Sequence, residues 1–166
     1  MTLLIECIVG IILFTLIVVP LTLKDPLGSV GDYPPAIRER CIELGLVSKT
    51  EKRFTTKELI KKVIAMIVFT VLFSFVVYKF NGTDTFIDGF VNSYIIWLAV
   101  DWYDAIVLDC IWFCHSKKVM IKGTEDMKEY KDYLFHIKQS CIGMLLGLPV
   151  CAAVGALVMI FKKNFL

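Results

Sequence analysis

The plainest gap in this chain is a basic residue inside its apolar stretches: residues 3–23, 63–78, 86–114 and 141–161 hold no lysine or arginine. Any carboxylate among them therefore has no cation at its own depth to pair with. The chain also has no polar stretch large enough to fold as a separate soluble domain. It has no basic patch interleaved with aromatics, which excludes nucleic acid as a partner. Its 6 cysteines supply no pair in the loops expected to face outward, which excludes a quinone-linked thiol oxidase. Cys7, Cys110, Cys114, Cys141 and Cys151 fall in apolar segments, where the residue behaves as a small hydrophobe, and Cys41 falls in the first loop. No serine, cysteine or lysine has an evident base, so covalent catalysis is disfavoured. Histidine occurs only 2 times, so any imidazole chemistry rests on His115 and His136.

What is present is apolar residue in long blocks. The 166 residues are 57% hydrophobic, against roughly 45–50% for a soluble domain, and mean hydropathy is +0.72. About 20 apolar residues span a bilayer. The expected architecture is an all-α polytopic membrane protein, one domain over residues 1–166, with transmembrane helices at 3–23, 59–79, 86–115 and 140–161. A soluble helical protein would have too little polar sequence to cover four such segments. The first segment has no basic stretch before it, contains Glu6 and is followed by no small-residue cleavage site, so it reads as a retained membrane helix.

Lysine and arginine concentrate in the first and third loops. The positive-inside rule then places those loops in the cytoplasm and both termini outside. In the first loop, Tyr33-Pro34-Pro35 precedes a short amphipathic helix over 35–44, expected to lie on the inner membrane face. Thr55 and Glu58 fit a capping box opening the second membrane helix, with Lys57, Lys61 and Lys62 at headgroup level. Asn81-Gly82-Thr83 reads as a turn.

The third segment poses the functional question. WLAVDWYDAIVLDCIWFCH is apolar, yet it holds Asp101, Asp104 and Asp109 and ends at His115. A helix over 86–115 would be about 44 Å long, against a hydrocarbon core of roughly 30 Å. At about 100° per residue, Asp101, Asp104, Trp112 and His115 share an arc of about 80°, with Asp109 at its edge. An ionised aspartate facing lipid costs roughly 3 kcal/mol. The stripe must face the bundle, a wet crevice or a cation. Asp101, Asp104, Asp109 and Trp112 are therefore the candidate ligand-binding residues.

The third loop adds a second stripe. Thr124 is placed to cap a helix over 124–139, on which Glu125, Glu129, Asp132 and His136 share one narrow face. His115 and His136 would then meet near the inner surface. With those carboxylates, they form a candidate site for a divalent metal ion such as zinc, manganese or iron. In the fourth segment, GMLLG permits close helix approach and Pro149 predicts a kink.

DWYDAIVLDCIWFCH, followed by IKGTEDMKEYKDYLFHIKQSCIGMLLG, resembles an uncharacterised family of small bacterial four-helix membrane proteins with an acid-rich third helix and a PGTE-like turn. Here Lys122 stands where the family has proline. The resemblance implies a bacterial source and a plasma-membrane location, and no activity.

Three functions fit this sequence. The acid stripe binds or transports a small cation or a cationic lipid head group. Alternatively, a metal-dependent enzyme acts on a lipid-linked substrate at the inner interface. Alternatively, the chain is a structural or assembly subunit, with the stripe buried against a partner or in a homo-oligomer.

Overall fold

The computed structural model describes residues 3–48 and 56–165. Among them the chain is all-helical, without strands. Helix α1, Leu3–Lys24, continues through Pro20. Helix α2, Pro35–Glu43, opens with proline at its first position, where the missing N–H costs nothing. Beyond it Gly45 takes φ +72°. Leu46 and Gly45 donate to the carbonyls of Cys41 and Ile42 at 2.9 and 3.0 Å, the paired closure a left-handed glycine allows.

The expected short helix is present as α2, with part of its apolar side packed on protein and Leu44, just past its end, 41% exposed. Ile37 and Cys41, one turn apart, are fully buried in a cluster with Tyr33, Phe113, Val119, Ile121 and Tyr130. We call this cluster the cap. It joins the first loop, the third loop and the segment just before His115. Tyr33 packs edge-on against Phe113 with ring centroids 4.8 Å apart. Its hydroxyl donates to the Val119 carbonyl at 2.8 Å. The Tyr130 hydroxyl accepts from the Ile121 N–H at 2.9 Å and meets the Thr124 hydroxyl at 2.8 Å. Burial pushes both phenols above their ordinary range, so they stay neutral.

Helix α3 covers Thr56–Asn81. The capping box proposed at Thr55 lies outside the described residues. After Gly82 at φ +62°, the Thr83 hydroxyl returns to the Val77 carbonyl at 2.9 Å. Helix α4, Phe86–Tyr103, is capped by Thr85, whose hydroxyl oxygen accepts from the Asp88 N–H at 3.1 Å. The helix then continues in the wider π form over Asp104–Trp112 and closes with a 3-10 turn at Phe113–His115.

The third loop differs from the expected helix over 124–139. Helix α5 covers Tyr133–Phe165, and only a 3-10 turn at Lys128–Lys131 precedes it. The reason lies in two side chains. Thr124 is fully buried, and its hydroxyl is engaged by Ile121 and Tyr130 instead of a helix start. Asp132 accepts from the Phe135 N–H at 2.9 Å, so the helix begins there.

By length and composition, α1 and α5 are each able to cross a membrane. A third candidate span arises if Met66–Asn81 and Phe86–His115, which meet at 110°, are counted together. Large apolar side chains such as Leu16, Leu72 and Leu145 are more than half exposed. Soluble monomers rarely expose contiguous apolar surface on this scale. The chain is a helical membrane protein with two to three candidate spans.

The α4–α5 seam positions the site. The two helices pack most extensively of all pairs, and they run antiparallel. From one end, Phe86 and Gly89 meet Gly155, Trp97 meets Gly147 and Asp101 meets Gly143. The Trp97 indole N–H donates to the Gly143 carbonyl at 3.1 Å. Helix α1 joins through Gly10, which sits against Ile96 and Val100. Helix α3 joins α5 through Val77, Val154 and Val158.

Candidate functional site

The α4–α5 seam continues past Gly143 as a row of polar pairs. The Ser140 hydroxyl donates to Asp101 Oδ2 at 2.5 Å. Further on, His136 Nδ1 lies 3.0 Å from Asp109 Oδ2. Between and beside these pairs is a cleft of about 100 Å³, lined by Asp101, Asp104, Ala105, Asp109, His136, Gln139 and Ser140. Among the described residues its lining includes no lysine or arginine.

The π stretch builds this convergence. A π helix bonds i to i+5 and places more residues on each turn than the 3.6 of an α-helix. Asp104 and Asp109, five apart, therefore come to one side. Trp112 and His115, which share the acid face under regular α-helical spacing, rotate away from it. Trp112 is partly buried against the cap. His115 is exposed. Its Nδ1 donates to the Ile111 carbonyl at 3.0 Å, and its Nε2 lies 3.3 Å from the Tyr133 hydroxyl.

The expected metal set is not brought together. His115 and His136 face different surroundings. Glu125 accepts from the Gly123 N–H at 2.7 Å, Asp132 caps α5, and Glu129 is exposed. Among the described residues, no three His, Cys, Asp or Glu side chains are grouped to hold a metal ion. The loss follows from the third loop: without a helix over 124–139, its acids share no face.

His136 is the most enclosed ionisable member of the site, 4% exposed beside Asp109 at 30%. Phe113 and Phe135 pack edge-on against its ring at 5.4 and 5.3 Å. An ionised carboxylate only accepts, so the bond to Asp109 assigns the proton to Nδ1 and the lone pair to Nε2 in the neutral ring. Nε2 is buried, with no hydrogen-bond partner among the described residues. The arrangement thus offers carboxylate acceptors, one oriented imidazole and one hydroxyl. Ser140 is turned to Asp101 and not to His136, so the geometry forms no serine–histidine nucleophile.

Compared with protein-family models, with curated proteins and with solved structures, the chain matches none. The site is therefore read from its own chemistry.

Sequence reasoning missed Ser140 and Gln139. Their signal was present: residues 136, 139 and 140 stand three and four apart, the spacing of one helix face. A serine and a glutamine at the start of an apolar segment are common, and only the α5 register shows which way they point. It also passed over the reason for Gly143. A Cβ there would overlap Asp101 Oδ1, so the glycine is the space that the carboxyl occupies.

Proposed function

We propose that this chain is a four-pass protein of the bacterial plasma membrane, with its first and third loops in the cytoplasm, and that the acid–imidazole cleft binds a small cation or the ammonium head of a lipid. The observation that carries the reading is the convergence of Asp101, Asp104 and Asp109 on one cleft without a basic lining residue among those described. Carboxylates at such depth are costly unless something positive compensates them. Hydrogen bonding by an N–H cation is favoured over metal coordination, because the described residues group no metal-ligand set. The size agrees. Water occupies roughly 30 Å³ in the liquid, so a cleft of about 100 Å³ admits a primary ammonium with a water or two. In this topology α3 and Phe86–His115 are separate spans, and the cap lies on the cytoplasmic side.

Calorimetric titration of the purified protein in detergent tests the reading. Methylammonium is expected to bind the wild type. Tetramethylammonium, which has no N–H to donate, binds more weakly. A hydrogen bond to a charged group is worth about 1.5–3 kcal/mol, and 1.4 kcal/mol is tenfold in affinity. Asp101→Asn and Asp104→Asn should each weaken methylammonium binding by about tenfold or more. If both variants bind as the wild type does, the cleft is not the site. Gly143→Ala makes an independent check. Its methyl group displaces the Asp101 carboxyl, so binding falls as in Asp101→Asn while the protein still folds, read by circular dichroism alongside the titration.

A further inference from the structure

Glu6 is an acid sunk in an apolar helix that plays no part in the cleft. It is 5% exposed. It lies one turn before Gly10, the residue that seats α1 against Ile96 and Val100. Asn81, the last residue of α3, donates its amide N–H to Glu6 Oε2 at 2.6 Å. The other oxygen of each group, Glu6 Oε1 and Asn81 Oδ1, is buried without a hydrogen-bond partner among the described residues. Both are acceptors, and they belong to the same pair of planar groups. Two acceptors shut away from water in one acid–amide pair call for a donor or a cation. One species satisfies both at once. A proton on Oε1 donates to Oδ1 and closes a two-bond ring with the existing amide bond. A sodium ion takes a lone pair from each.

We propose that Glu6 and Asn81 form a site for one monovalent cation, H⁺ or Na⁺, separate from the cleft, which clasps the start of α1 to the end of α3. The two sources share oxygen-acceptor chemistry and part company in the experiment. Thermal unfolding is measured in detergent at constant pH and ionic strength, with sodium exchanged for tetramethylammonium, which has no N–H to offer the cleft. If sodium is the occupant, ten times its dissociation constant raises Tm by roughly 3–6 °C. That shift persists in Asp104→Asn and vanishes in Glu6→Gln. If the occupant is a proton, sodium has no effect, and the infrared spectrum shows a protonated-carboxyl band that Glu6→Gln removes. Glu6→Gln brings its own N–H to Asn81 Oδ1, so it is expected to fold. Should it not, Asn81→Ala, which removes the second acceptor, supplies the comparison: the sodium shift is lost or the carboxyl band moves. A wild type with no sodium shift and no protonated-carboxyl band assigned to Glu6 overturns the proposal, as does a sodium shift that survives in Glu6→Gln or, where that variant does not fold, in Asn81→Ala.

Discussion

Tyr130→Ala is expected to lower Tm by roughly 8–16 °C, corresponding to about 4 kcal/mol. Tyr130 is 1% exposed and sits in the middle of the cap. Its ring centroid lies 6.1 Å from that of Tyr33 and 6.2 Å from that of Phe113. Its hydroxyl serves the Ile121 N–H and the Thr124 hydroxyl together. Truncation opens a cavity and also strands two buried polar groups. Tyr130→Phe separates the two losses. It keeps the ring and gives up only the hydroxyl bonds, for about 2 kcal/mol. The effect should reach the cleft, because Phe113 touches both Tyr130 and His136. Methylammonium affinity in Tyr130→Ala therefore falls together with Tm. If Tm moves by less than about 2 °C, the cap is energetically independent of the membrane helices.

The second large effect is at Gly155. A Cβ there would stand 2.6 Å from the Phe86 carbonyl oxygen and 3.0 Å from its ring. The obstacle is backbone, so no rotamer change relieves it, and α4 must move away from α5. Gly155→Val is expected to cost about 3 kcal/mol, the upper end of the usual cost of overpacking. Unfolding of the purified protein in increasing denaturing detergent reads this directly. Gly82→Ala provides the contrast. Nothing lies within 4 Å of a Cβ there, so it suffers only left-handed backbone strain at φ +62°, about 1–2 kcal/mol. If the order of the two variants is reversed, close approach of α4 and α5 is not what holds the seam.

Part of the site is legible in the residues themselves. Asp101, Asp104 and Asp109 stand out because hydrocarbon penalises charge, and that penalty depends on residue type and neighbours alone. His136 stands out with His115 because the chain has no other imidazole. Glu6 meets the same criterion as the aspartates, yet one acid in an otherwise apolar helix suggests nothing without Asn81 beside it. The glycines of α5 are legible as small surfaces, but not as the individual recesses for Asp101, Trp97 and Phe86.

The errors have a common origin in assumed pitch. A constant 100° per residue puts Trp112 and His115 with the acids and leaves Asp109 at the margin. Nine residues of π helix reverse this order. Extending α-helical pitch upstream of Tyr133 likewise gathers Glu125, Glu129 and Asp132 into a metal set that the coil separates. Local propensity could not expose either error, because the deciding contacts are long-range: Tyr33 to Val119 is 86 residues apart and Asp101 to Ser140 is 39.

Residue chemistry alone settled that the chain is helical, belongs in a membrane, and carries acids that hydrocarbon will not accept. Those conclusions need only transfer energies and counting along the chain. Which acids meet, which histidine joins them and which polar atoms are left without a donor depended on how distant segments pack. Packing sets the pitch of each helix and the register between helices, and neither quantity is encoded at any single position.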